Sequence, residues 1–350
     1  MLWPRGASAR NARGDFRNPC FRGDDEQGWK VIVALVAPSA LRRFRSDIER
    51  LLGRPAAPHD QFGIAVSGGP DSMALLALAS SAYAGQVQAA TVDHGFRPEA
   101  AAEAEMVAHW CGAHGIPHKT LRPPAPITGN LQSAGRAERY RLLWQWCDER
   151  KLDWLLTAHH ADDQLETLLM RLNRGSGLAG LAGVRSRSDR LLRPLLFWTR
   201  AGLGEVASQA GCPAIEDPSN KDPRYDRAAL RLHLAQTDWL DSVSASRSAA
   251  ALAECEMALD WAVSGFEEQF VDQNGEEIRL SRIDFPREIQ RRLLLRMLAR
   301  LDPGLSPRGD TIDQALVQLA LGKKYTIGSL LLCGGSNWTV KPAPPRRTTG

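Results

Sequence analysis

Residues Phe62 to Ser72 read FGIAVSGGPDS, and the fold turns on them. Phe62 to Val66 is a short apolar, partly β-branched run of the kind that forms a buried strand. Ser67-Gly68-Gly69-Pro70-Asp71-Ser72 follows without a spacer, and Met73 to Ser80 reads as a helix. A strand, a glycine-rich turn and a helix in succession aim the turn's amides and the helix N-terminus at one spot, where an anion is stabilised. Gly68 and Gly69 let a phosphate approach the backbone with no β-carbon in the way. Ser67, Gly68, Gly69, Pro70, Asp71 and Ser72 are therefore candidate phosphate-binding residues. Asp71 is placed to cap the helix or to hold a metal ion near the phosphates. No lysine closes the loop, so it is not a Walker loop. A tight turn of small residues is the alternative for the hexapeptide taken alone.

From this loop onward strand and helix patterns alternate. Strands are expected at Val87–Val92, His118–Leu121, Trp154–Thr157 and Leu191–Leu196, and helices at Pro98–His114, Ala134–Arg150 and Ala161–Asn173. Such alternation implies crossover connections and an α/β fold, a parallel sheet flanked by helices. In such sheets ligands bind beyond the carboxyl ends of the strands, near the point where strand order reverses.

Three polar clusters fall on that rim. Asp93-His94-Gly95-Phe96-Arg97 ends the second strand, where nucleotide folds contact a ribose or base. Its alternative is a solvated turn. Arg136 and Arg139 lie three apart and share a helix face, suiting phosphate or base edges, or else an exposed salt-bridged surface. The third cluster is His159-His160-Ala161-Asp162-Asp163-Gln164-Leu165-Glu166, at the start of a helix. Carboxylates there complement the helix dipole, but so many ionisable groups exceed what capping needs and fit metal-assisted or acid–base chemistry. Gly175–Gly180 satisfies G-x-G-x-x-G, yet it follows a helix, so it reads as a helix stop.

The chain has 350 residues, enough for two domains, and a formal net charge of +4 that permits a nucleic-acid partner without requiring one. Six cysteines carry no C-x-x-C spacing and read as reduced thiols of a cytoplasmic protein. No apolar run approaches the ~20 residues that span a bilayer. The first thirty or so residues are arginine- and glycine-rich, without a secretion signal, and read as a disordered arm. Ser39–Leu52 is an amphipathic helix, and Ile215–Arg227 is a polar, proline-punctuated loop that reads as a lid or RNA-contact element. Beyond Asp238 the texture becomes helical and basic in places (Arg291, Arg292, Arg296, Arg300), with short strands at Lys323–Ile327 and Ser336–Val340.

Taken in order, SGGPDS, VDHGFR, GRAERYRLL, TAHHADDQLETLLMRLNRGSG and IEDPSNKDPRYDR resemble the bacterial tRNA(Ile)-lysidine synthetases of the ATP pyrophosphatase (PP-loop) superfamily. The resemblance runs from Phe62 to about Leu234. It implies that ATP adenylates the wobble cytidine of tRNA(Ile) bearing a CAU anticodon and that free L-lysine then displaces AMP. It implies ATP held by the Ser67–Ser72 loop with Asp93 and His94, and Mg²⁺ at Asp71. Asp71, Arg136, Asp162, Asp163 and Glu166 would be catalytic, with Glu166 binding the lysine amine and taking its proton. Arg97, Arg139, His159, Arg174, Arg224 and Arg227 would contact tRNA or lysine. The implied organisation is an N-terminal extension (1–58), a PP-loop catalytic domain (59–237) and a smaller, mainly helical tRNA-binding domain (238–350). A homodimer is compatible with the resemblance, and a membrane is not implied. The rivals are a 2-thiolation enzyme of the same superfamily, disfavoured by the lack of cysteines near the rim motifs, and a non-catalytic ATP-binding module.

Overall fold

A computed structural model describes residues 36–95, 99–125, 131–215 and 226–344. Two sheets organise it. The first uses β1 (Phe62–Ala65), β2 (Val87–Val92), β3 (His118–Leu121), β4 (Trp154–Leu156), β5 (Arg187–Ser188) and β6 (Leu191–Leu192), in the order β3-β2-β1-β4-β6-β5. All its pairings are parallel except that of β5 with β6. The helices connecting and covering it are α1 (Pro38–Leu52), α2 (Pro70–Ala82), α3 (Glu99–Ala113), α4 (Leu131–Glu149), α5 (Ala161–Asn173), α6 (Leu178–Leu181), α7 (Arg200–Gln209) and α8 (Asp226–Leu234). The chain lays down β1, β2 and β3 outward on one side, then crosses back to place β4 on the other side of β1. That reversal opens a crevice between the carboxyl ends of β1 and β4.

Alternation along the strands divides the sheet's two faces. Phe62, Ile64, Leu156 and Leu192 face a core that contains α1, α2 and α7, whereas Leu155, Leu191 and Ala90 pack with Trp146 and Leu143 of α4. Gly63 is required by that second face, because a β-carbon there would lie 2.8 Å from the Trp146 ring. Residues Met73 to Ala79 of α2 are fully buried, as a stretch apolar on every side must be. The amphipathic helix expected in the N-terminal extension is α1, and its Phe44, Ile48 and Leu51 belong to this same core. Asp60 fixes the entry to β1: it accepts a two-pronged contact from Arg54 (2.7 Å each), the Ala57 amide (2.6 Å) and the Trp154 indole (3.3 Å).

The remainder of the chain forms α9 (Ser242–Phe270), β7 (Val271–Asn274), β8 (Glu277–Leu280), α10 (Arg287–Leu301), α11 (Gly309–Ala320), β9 (Lys324–Ile327), β10 (Leu330–Cys333) and β11 (Trp338–Pro342). These strands make one antiparallel sheet, β7-β8-β11-β10-β9, sharing a core with α10, α11 and the end of α9. Helices thus make up most of this region, as expected, and its short strands join into one antiparallel sheet. Near its other end α9 buries Ser242, Ser246 and Ala249 and packs on α5 and α6, so one helix joins the two bodies. Among the described residues no helix is long and apolar enough to cross a membrane.

Candidate active site

The Ser67–Ser72 loop leaves β1 and enters α2 with Gly69 as the N-terminal cap and Pro70 in the first turn, where a missing N–H costs nothing. Gly68 has φ of 84°, a left-handed conformation that glycine adopts without strain. Ser72 is buried and braces the loop: its Oγ accepts the Ser67 amide (3.1 Å) and donates to the Gly69 carbonyl (2.9 Å). Ser67 is exposed, its hydroxyl 3.2 Å from that of Ser72. The Ile215 amide donates to the Gly68 carbonyl at 3.1 Å and ties the loop after α7 to the cradle.

Across the crevice, His160 caps α5 from the end of β4 and is almost wholly buried. Its Nε2 lies 3.4 Å from Asp71 and 3.5 Å from Asp163, and its Nδ1 lies 3.4 Å from Asp162. Asp162 also accepts the Arg200 amide at 2.9 Å, which pins α7 to α5. Burial works against charge on His160, but its interactions as a donor toward the Asp162 and Asp71 carboxylates and the nearby Asp163 charge prevail and raise its pKa to about 9. The imidazolium therefore joins the phosphate loop to the acid-bearing helix.

That linkage makes stability pH-dependent. The folded pKa of about 9 exceeds the unfolded value near 6.5, so the contribution is fully present below about 6.5 and is lost as pH rises through 9. Unfolding free energies from urea titrations should fall by roughly 3 kcal/mol on this account between pH 6.5 and pH 10. His160→Gln should flatten the slope; an unchanged slope in that variant would assign the effect elsewhere.

On its next turn α5 meets α8. Glu166 is buried, with one oxygen 3.1 Å from Arg227 Nε and the other bonded to Arg231 Nε. Arg231 also reaches Asp163 at 3.3 Å, and Arg227 donates to the Thr167 hydroxyl at 2.8 Å. Glu166 is thus a clamped carboxylate, and Arg227 and Arg231 are the cations that hold it. Arg174 lies eight residues beyond Glu166, about 12 Å along α5, where it pairs with Asp226 on the surface (3.3 Å). The structure does not bring it to the crevice.

At the end of β2, Asp93 accepts the Gly95 amide (2.9 Å) and Arg122 Nε (3.1 Å). Beside it Arg139 donates to His94 Nε2 at 3.5 Å, joining the first two sequence clusters. Burial, aided by the Arg139 charge, lowers the His94 pKa. Arg136 is exposed, with its guanidinium 5.2 Å from the Tyr140 ring centre. His159 shares a hydrogen bond with Thr157 (3.0 Å); burial, and after it Arg193, Arg136 and Arg227 against the opposing pull of Asp163, hold its pKa down at about 4. Arg97 and Arg224 lie outside the described residues.

One residue of this rim was missed. Arg193 follows β6 directly, and the Thr157 amide donates to the Leu192 carbonyl at 3.1 Å, setting it beside the end of β4. The available signal was Pro194, which ends the strand early and leaves an arginine at its tip.

Asp71 fits a hard cation. Its Oδ1 is buried without a hydrogen-bond partner. Among the described residues no group of three or more His, Cys, Asp or Glu side chains is placed to hold a metal, so an ion here would share Asp71 with phosphate oxygens and water. The described cysteines are free, and burial pushes the thiols of Cys111, Cys147 and Cys212 up to about 12, the reverse of what a reactive thiolate needs. In the C-terminal body, Arg292, Arg296 and Arg300 of α10 pair with Glu256, Asp260 and Glu267 of α9, so these arginines fasten helices together.

A serine–glycine cradle at the reversal point of a parallel sheet, facing an acidic helix start, defines a PP-loop protein, an ATP-using class; the family model for the PP-loop domain matches residues 40–238. The chain is 39% identical over 316 residues to tRNA(Ile)-lysidine synthase of Zymomonas mobilis, covering 88% of this chain and 95% of that one. It is 40% identical over 323 residues to the protein of the same name from Novosphingobium aromaticivorans, again covering 88% and 95%. The chain belongs to the tRNA(Ile)-lysidine synthase family. Among solved structures, U34-tRNA thiolase NcsA from Methanococcus maripaludis shares the fold, with a TM-score of 0.50 and 19% identity over 61% of this chain and 79% of that one.

Proposed function

We propose that this chain is a ligase that joins lysine to C2 of the wobble cytidine, position 34, of tRNA(Ile) with a CAU anticodon, cleaving ATP to AMP and diphosphate. The product, lysidine, pairs with A, so decoding changes from AUG to AUA. The observation that carries the reading is the line of contacts Asp71–His160–Asp163–Arg231–Glu166, which joins the phosphate cradle to the acid cluster in one crevice.

In the first step the cytidine O2 attacks the α-phosphorus and pyrophosphate leaves. The first-turn amides of α2 and the Ser67 hydroxyl hold the leaving group, while Ser72 keeps the loop in shape. Mg²⁺, when bound at Asp71, neutralises charge on the phosphates. The His160 imidazolium holds Asp71 in place and adds positive charge behind it. A cytosine carbonyl is a weak nucleophile, so positioning supplies much of the rate, and Arg136 on the open rim is assigned to the RNA. In the second step the neutral ε-amine attacks C2, AMP leaves, and a proton passes from the amine to an acid of α5. Arg227 and Arg231 occupy Asp163 and Glu166, so binding the lysine ammonium exchanges one cation for another. The cytoplasm, where tRNA and free lysine meet, is the location of this reaction.

The test mixes labelled lysine, ATP and a CAU tRNA(Ile) transcript. One AMP and one pyrophosphate per lysine incorporated are expected. Pyrophosphate release without tRNA would turn the reading toward a small-molecule ligase, and none under any condition toward a binding module.

A further inference from the structure

No step above uses Arg193. It is 7% exposed, its amide donates to the Ser186 carbonyl at 2.8 Å, and its Nη1 donates to the Arg185 carbonyl at 2.6 Å. Its Nε is buried and has no partner. Among the described residues no carboxylate forms an ion pair with it; burial and the neighbouring Arg136 disfavour its charge, and only the Tyr140 hydroxyl supports it. A guanidinium out of water without a counter-charge is expensive, and a fold retains one where a ligand brings the anion. The Nε side of a guanidinium offers two parallel N–H groups that match a carboxylate.

The sheet order indicates which anion. Arg193 tips β6, and β4 stands between it and the phosphate cradle at the end of β1, a separation of about 10 Å at ordinary strand spacing. ATP phosphates are therefore held elsewhere, and a side chain this deeply enclosed suits the end of a small molecule better than a phosphodiester flanked by riboses. His159 and the acids of α5 lie between, where an amine is required.

We propose that Arg193 binds the α-carboxylate of the amino-acid substrate through its unpartnered Nε edge, leaving the ε-amine to reach the cytidine. This rests on the lysine-ligation reading. The test is calorimetric titration of the full chain with L-lysine and with cadaverine, which lacks only the carboxylate. Wild type should prefer lysine by about tenfold to a hundredfold, and Arg193→Gln should erase the preference by weakening lysine alone. A folded Arg193→Gln that still prefers lysine, or that weakens tRNA instead, overturns the assignment. If the variant does not fold, lysine amide takes its place: equal affinity of wild type for lysine and its uncharged amide also overturns it. Lysine preference together with absence of lysidine formation would sink the ligation reading and leave the carboxylate site standing.

Discussion

Asp71→Ala is expected to lower tRNA-dependent pyrophosphate release by about a hundredfold to a thousandfold, with the protein still folded. Asp71 sits in the first turn of α2, one oxygen 3.4 Å from His160 and the other buried without a partner. A carboxylate oxygen left unsatisfied beside an anion cradle costs free energy unless a cation completes it when substrate binds. Asp71→Asn removes the charge and preserves the shape, so it should be nearly as impaired. His160 keeps Asp162 and Asp163 as partners in both variants, which is why the fold should survive. An asparagine variant releasing pyrophosphate within threefold of wild type would exclude Asp71 from the phosphate chemistry.

Glu166→Ala should damage stability most. It takes the carboxylate from Arg227 and one of the two carboxylates from Arg231, which keeps Asp163 at 3.3 Å, and losing a charged hydrogen bond of this kind costs up to about 3 kcal/mol. Most of the loss belongs to Arg231, the more buried of the two, since water screens Arg227. Removing the Arg231 charge as well, in Glu166→Ala with Arg231→Met, should cost less than the sum of the two single losses in urea titrations. Losses that simply add would mean the two residues do not depend on each other. The single variant should also fail in lysine transfer, because α8 would no longer be held against α5.

Helix α5 was legible to the residue because a polar cap precedes an amphipathic run, and β2 and β3 because apolar stretches end in turn residues. The cradle was legible because so few sequences leave a strand through two glycines. The β7–β8 hairpin was missed although Asn274-Gly275 marks it; VDQN is polar after its first residue, the alternation of EIRL covers only four residues, and Gly275 at φ of 60° does the turning. α7 escaped notice because Gly202 and Gly204 weaken its helical pattern, and tertiary burial of Leu203, Val206 and Ala207 overrides that. Sequence also displayed the acids of α5 and the arginines after Asp226, but not that they meet: opposite charges remote in sequence announce no partner. The same holds for the arginines of α10 and the acids of α9 that they pair with.

α9 runs 29 residues without a break, about 44 Å, with one end seated on α5 and the other inside the C-terminal body. It acts as an axle of fixed length and fixed phase. Each residue added or removed at its midpoint would swing the far body through about 100° around the shaft and shift it by ~1.5 Å. The direction in which the C-terminal sheet faces relative to the crevice is therefore set by the residue count of a single helix.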